Sequence, residues 1–313
     1  MKKIIRETDE ERGIVQITVA DERWYTKPGN DAVSGMPIYY EPVPSVTWIC
    51  GFWPKGVGFY RWLAEHGWDE AEAIKVAAGD KGSRVHLAIE MILTGEEFRI
   101  DTKVQDKSRS TEQEARETEL SYEELLCVKA FLDWRADTEK DYTIDSLATE
   151  IAVFSDIHGY AGTVDWVVRL TPKEGGKNPL KLTGPTPYVI DFKTGKQVWK
   201  EYELQVSAYR MALENGENPI REKNENGTEG PILDLSGMRT AILQVGYTLN
   251  KAGYKFTEIE DAFDLFKVAQ QIWRAEVGKN TPGFTKREFP IVLSPASTVD
   301  PDPEFATASP ETV

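Results

Sequence analysis

The chain has 313 residues, 40% of them hydrophobic, with 9 Trp, 12 Tyr and 12 Phe spread along it, which is apolar mass enough for a sizeable buried core and excludes disorder throughout. Its 37 Lys and Arg against 52 Asp and Glu give a net charge of -15, which argues against a general basic coat for nucleic acid but leaves room for a locally basic groove or an acidic centre carrying cations. Two cysteines, Cys50 and Cys127, can build neither a disulfide framework nor a four-thiolate metal site, so no iron-sulfur cluster is expected.

No stretch approaches the about 20 consecutive apolar residues of a membrane span, and the N-terminus turns acidic where a signal peptide needs an apolar run, so a cytoplasmic protein with no membrane partner is expected. Residues 13–40 read as a strand or hairpin with aromatic residues near its turns. In 45–68, Ser45 or Thr47 offers a cap, and aromatic residues fall at helical intervals after the Pro54-Lys55-Gly56 break. Two helical runs are predicted between Asp69 and Thr94, separated by AAGDKGS, with Val85, Ile89 and Ile92 on one face and His86 and Glu90 on a neighbouring one. Residues 96–119 are rich in charge and read as a solvated connector. Ser121 and Glu124 open an amphipathic helix over 121–140 with a capping box. Strands are predicted at 143–155, 163–170 and 187–195, then a helix over 202–216, a hairpin from 240–249 and 253–259, and a closing helix. From Ser294 the Pro/Ser/Thr/Ala composition, with four acids and no base, describes a disordered tail. The expected fold is mixed α/β (α+β), a central mixed sheet flanked by helices. An N-terminal extension covers 1–44, a main domain 45–293 and the acidic tail 294–313.

The chemistry concentrates in two strands. Asp165 follows a glycine-bearing turn, and Asp191 and Lys193 lie two apart on the next strand, hence on one face with Phe192 on the other. In the apolar run YVIDF, burying a carboxylate and an ammonium is costly unless they pair or meet a metal. Taken alone, the pair fits a structural salt bridge as well as a functional one.

The motifs G162-T-V-D165, D191-F-K193-T and Q205-V-S-A-Y209 resemble the PD-(D/E)XK nuclease superfamily in its RecB-like exonuclease branch. The upstream SVT, the Trp-bearing helix and the GSRVH segment with Glu90 are similar to that branch and to viral and mitochondrial genome maintenance exonucleases. The resemblance spans about residues 45–216 and implies a restriction-endonuclease-like core. It implies Asp165, Asp191, Lys193, Gln205 and Tyr209 as catalytic residues, and one or two magnesium or manganese ions held by His86, Asp165, Asp191 and the backbone carbonyl of Phe192. Phosphodiester hydrolysis suits such a set, because divalent cations activate water and neutralise charge on the phosphate, while Lys193 orients or deprotonates the water or stabilises that charge. The resemblance leaves the lysine's role open between these. Gln205 and Tyr209 would brace the lysine or touch the DNA backbone.

The expected partner is DNA, as single strands or ends. With no GxxxxGK[ST] motif, unwinding falls to a separate helicase or recombination protein. Glu150 is weighed as a further acidic member of the site against a solvent-facing strand residue, and Glu90 against a surface glutamate. Trp24, Tyr25, Trp48, Phe52 and Trp53 are weighed as base-stacking groups, with core packing the stronger role for most of them. The alternative function is a non-catalytic nucleic-acid-binding or assembly protein that retains the fold.

Overall fold

The computed structural model describes residues 3–9, 13–19, 22–30, 37–39, 42–105, 117–223 and 229–277. The expected tail 294–313 and the middle of the charged connector, 106–116, lie outside the described residues.

The chain opens with β1 (Lys3–Asp9), β2 (Ile14–Val19) and β3 (Glu22–Thr26), followed by the pair β4 (Pro28–Asn30) and β5 (Pro37–Tyr39) and by the short β6 (Val43–Pro44). β1, β2, β3 and β6 form an antiparallel sheet. It shares its core with the rest of the molecule: Trp24 and Ile17 join one buried cluster with Val164 and Trp273, and Ile14 and Tyr25 join another with Phe154 and Ala161. Ile14, Ile17, Trp24 and Tyr25 thus build the N-terminal sheet into the body.

α1 (Val46–Cys50) starts at Ser45, whose side chain accepts from the Trp48 amide. Between the two expected caps, Ser45 takes the role. Pro54 and Gly56 break the helix before α2 (Val57–His66), and Gly67 ends α2 at φ 75°. The next element departs from expectation. Instead of two helical runs, Trp68–Thr94 is one 27-residue helix, α3, that runs straight through AAGDKGS. A helical glycine costs about 1 kcal/mol against alanine, and the helix keeps its line because tertiary contacts hold it past the glycines. Val85, Ala88 and Ile89 are fully buried, and Arg84 grips the buried Glu124 through Nε at 2.9 Å and Nη2 at 2.5 Å.

The charged connector also holds more structure than expected. Lys103–Gln105 (β7) pairs with Glu117–Glu119 (β8), and Val104 and Leu120 bury beside α3. α4 (Tyr122–Thr138) carries the predicted capping box, with the Glu124 carboxylate accepting from the Ser121 amide at 2.7 Å.

The main sheet follows: β9 (Tyr142–Ser155), β10 (Tyr160–Pro172) and β11 (Thr186–Lys193), then α5 (Lys200–Glu214), the small pair β12 (Arg221–Lys223) and β13 (Glu229–Ile232), and finally β14 (Arg239–Val245), β15 (Tyr254–Ile259) and α6 (Phe263–Val277). Its order is β15-β14-β11-β10-β9, antiparallel except for the parallel β11/β14 pair. The fold is thus mixed α/β. Ile190 and Phe192 turn to the face covered by α3 and α4, while Val189 turns to the face covered by α1, α5 and α6. Asp191 and Lys193 share the face of Val189 by alternation. No helix among the described residues is long and apolar enough to cross a membrane.

The open space at one helical glycine yields a stability test. A Cβ on Gly82 would have as its nearest neighbour the Thr194 hydroxyl at 3.9 Å, so Gly82→Ala should stabilise the protein by about 0.5–1 kcal/mol. Urea denaturation should show a higher midpoint with an unchanged slope, and a lower midpoint would contradict the account of α3.

Candidate active site

The ends of β10 and β11, the middle of α3 and one position of β9 converge on a cleft of about 440 Å³. Asp191 sits in the central strand with 1% of its surface exposed, and neither of its buried carboxylate oxygens has a hydrogen-bond partner among the described residues. Lys193 Nζ lies 2.6 Å from Asp191 Oδ2, outside hydrogen-bonding alignment, and 4.6 Å from the centre of the Tyr202 ring. Burial and the nearby Asp165 charge outweigh the attraction of Lys193 and push the Asp191 carboxyl up to about 6. Burial alone would lower Lys193, but the charges of Asp191 and Asp165 hold its pKa above the ordinary lysine value.

Asp165 Oδ2 accepts from the Phe192 amide at 2.8 Å and stands 3.5 Å from His86 Nδ1. His86 Nε2 lies 2.9 Å from the Phe192 carbonyl oxygen. A carbonyl can only accept, so Nε2 carries the proton in this contact. Two atoms expected as ligands of one cation therefore hydrogen-bond each other here.

Glu150 joins them. It lies across from Asp165 between the paired positions Ile151–Val164 and Thr149–Trp166, and its φ of 47° puts a non-glycine residue in the left-handed region inside a strand. Such a conformation costs of order 1–3 kcal/mol and gathers at functional sites. Ligand atoms of His86, Glu150 and Asp165 all lie within 4.8 Å of one another. Burial, with Asp165, Glu90 and Asp191 adding like charge, drives the Glu150 carboxyl well above the ordinary glutamate range. Glu90 also lines the cleft, and burial and the neighbouring Glu96 raise it too. Neither glutamate is the plain surface residue it was weighed against.

From α5, Gln205 Nε2 donates to the Tyr209 hydroxyl at 3.3 Å, and both side chains line the cleft. Tyr209 presses on Gly162, where an added Cβ would come within 2.7 Å of the tyrosine ring. This close approach is why glycine occupies the first position of G162-T-V-D165. Neither Gln205 nor Tyr209 hydrogen-bonds Lys193 among the described residues. The α5 residue that meets the lysine is Tyr202, one turn earlier.

Sequence reasoning missed Gln16 and Arg23 in one wall and gave its Tyr25, Ser45 and Thr47 other roles. Gln16, Arg23 and Tyr25 of the N-terminal sheet, with Ser45 and Thr47 at the start of α1, face the carboxylates across the cleft. The Tyr25 hydroxyl bonds Gln16 Oε1 at 3.1 Å and Thr163 Oγ1 at 3.2 Å, stitching this wall to β10. Arg23 has no ion-pair partner among the described residues. The idea of Trp24 and Tyr25 as stacking platforms fails, because they are 0% and 2% exposed. Trp24 packs edge-on against Trp48 and Trp273 at 5.1 and 5.9 Å. Trp48, Phe52 and Trp53 are half-buried against the same core.

Compared with protein-family models and with curated proteins, the chain matches none, so the chemistry of the cleft rests on its geometry.

The raised Asp191 carboxyl has a stability consequence. An acid whose folded pKa exceeds its unfolded one costs stability once ionised, a cost absent below about 4 and complete above about 6. Metal-free Asp191→Asn should therefore gain melting temperature over the parent as pH rises from 4 to 6, and hold that gain above. Thermal melts in chelator at pH 4.5, 5.5 and 7 check this; a gain that shrinks with pH would contradict it.

Proposed function

We infer that the protein is a divalent-metal-dependent nuclease that hydrolyses phosphodiester bonds in DNA, built on a restriction-endonuclease-like core. The observation that carries the reading is the buried Asp191 carboxylate, without a hydrogen bond among the described residues, beside Lys193 and a cluster of His86, Glu150 and Asp165. Like carboxylates gathered in a water-poor cleft repel unless protons or cations intervene, and Lys193 alone does not balance them.

The donor set fits a hard divalent cation. Asp165, Asp191, Glu150 and the Phe192 carbonyl offer oxygen for magnesium, and His86 adds an imidazole that manganese tolerates better. When bound, such an ion supplies Lewis acidity toward phosphate and a lowered pKa for water.

The chain's own groups do the rest. Asp165 is oriented by the Phe192 amide, so its free oxygen keeps one direction. Lys193 stays charged at neutral pH, held by Asp191 and Asp165, which favours stabilising phosphate charge and orienting water over removing a proton from it. Arg23, on the opposite wall and without an ion-pair partner among the described residues, meets a phosphate of the strand bidentately. Ser45 and Thr47 add hydroxyl donors on that side.

The direct test is end-labelled single- and double-stranded DNA incubated with magnesium, manganese or chelator, with the products read on a gel. Metal-dependent ladders are expected, and no cleavage under any metal would remove the reading. Lys193→Ala should lower turnover by about 10²–10⁴-fold yet retain metal-induced thermal stabilisation, because an ammonium cannot be a ligand. Loss of that stabilisation with turnover intact would reverse its role.

Arg23→Gln should raise KM about tenfold and leave kcat nearly unchanged, since a ground-state phosphate contact is lost. A fall confined to kcat would place Arg23 at the transition state instead.

A further inference from the structure

A second groove, of about 690 Å³, opens on the same face of the sheet as the catalytic pair. The register sets this relation. Lys193 pairs with Gln244, which pairs with Lys255; Asp191 pairs with Ile242, which pairs with Thr257. Residues paired across strands share a face, so Gln244, Lys255 and Thr257 continue the catalytic face toward β15, the edge of the sheet. The groove is also tied to the site by a hydrogen bond. Gln244 Nε2 donates to the Gly195 carbonyl at 2.8 Å, two residues beyond Lys193.

Its lining holds polar atoms with nothing to bond. Gln244 is 1% exposed, its Nε2 is committed to Gly195, and its Oε1 has no partner among the described residues; the buried Thr257 Oγ1 has none there either. A buried acceptor left open costs about 1–3 kcal/mol, and both atoms belong to side chains that line the groove. Beside them Trp199, 48% exposed, meets no other aromatic ring among the described residues. Lys196 and Lys255 add positive charge. Of the three carboxylates on the lining, Glu203 is paired with Lys200 and Glu258 is held by Arg239 and the Tyr188 hydroxyl, which leaves Glu260 against the two lysines. The amino end of α5, at Trp199 with no side-chain cap, opens here as well.

An exposed indole, a buried amide acceptor, a hydroxyl and two ammonium groups complement one kind of molecule. We propose that the groove is a nucleotide subsite: the base lies on Trp199 with its amino edge toward Gln244 Oε1 and Thr257 Oγ1, and the phosphate lies toward Lys196 and Lys255. The nucleotide comes either from a DNA strand that also occupies the catalytic cleft, which rests on the nuclease reading, or from solution as a free nucleoside monophosphate.

Two probes separate these sources. Full-length protein is titrated, with calcium replacing magnesium, against a fluorescein-labelled single-stranded oligonucleotide by anisotropy and against dAMP by calorimetry. Trp199→Ala should weaken binding about tenfold, the size of a lost base–aromatic stack, and Thr257→Val about fivefold, while Tyr122→Ala, an exposed aromatic on α4, changes nothing. A loss with the oligonucleotide alone assigns the groove to the strand, and a loss with dAMP assigns it to free nucleotide. Unchanged affinities in both groove variants, an equal loss in Tyr122→Ala, or no binding of either probe overturns the subsite. Cleavage by the parent in magnesium is scored separately. Cleavage with unchanged affinities removes only the subsite, and Trp199-dependent dAMP binding without cleavage removes only the nuclease reading.

Discussion

A carboxylate in the middle of a hydrophobic sheet is expensive, and much of this molecule is arranged around that cost. β11 is covered on both faces and flanked by β10 and β14, so Asp191 meets solvent only through the cleft, with 1% of its surface exposed. Lys193 offsets part of the charge but leaves the oxygens without aligned donors. The neighbours then divide the consequences. Tyr202 supplies a ring face for the ammonium, the Phe192 amide occupies one oxygen of Asp165, and His86 spans from the Phe192 carbonyl toward Asp165. Glu150 adds a further carboxyl from a left-handed backbone, and burial with its like-charged neighbours disfavours that carboxyl's ionised form. Strain and crowded charge gathered at one place are features that cluster at functional sites.

That arrangement needs α3 to hold its angle over the sheet. The helix carries His86 and Glu90 past its glycines because Arg84, two residues before the histidine, reaches across to Glu124. Glu124 is buried in turn and already holds the first turn of α4 through Ser121. One carboxylate thus serves as cap for one helix and anchor for another, and the Arg84 and Ser121 hydrogen bonds keep it ionised against its desolvation. Deleting either partner of such a buried pair would expose the other's cost, so the link is more rigid than its surface counterparts.

What the sequence disclosed follows physical range. Alternation in YVIDFK put Asp191 and Lys193 on one face, and the Ser121–Glu124 box and the 240–259 hairpin are local patterns that the structure repeats. The continuity of α3 was hidden, because glycines read as a break when the distant Glu124 that holds the helix cannot be seen. Glu150 was underweighted for a related reason: a positive φ is a property of the folded backbone and leaves no spacing signal. The Arg23 wall was missed because a residue inside a surface hairpin looks the same whether its partner is water or a cleft. Trp24 and Tyr25 could be placed near turns by composition, but only packing decides that they are interior.

The tryptophan cluster carries a consequence for how the cleft comes into being. Trp24, from the wall that bears Arg23, is clasped by Trp48 and by Trp273, the last of which belongs to the final described helix. The wall precedes the acidic strands in the chain, yet the ring that locks it belongs to α6, which follows all of them. A nascent chain can therefore assemble the sheet and its acidic residues before the opposite wall is clamped, so the order of emergence itself delays completion of the cleft until α6 has been made.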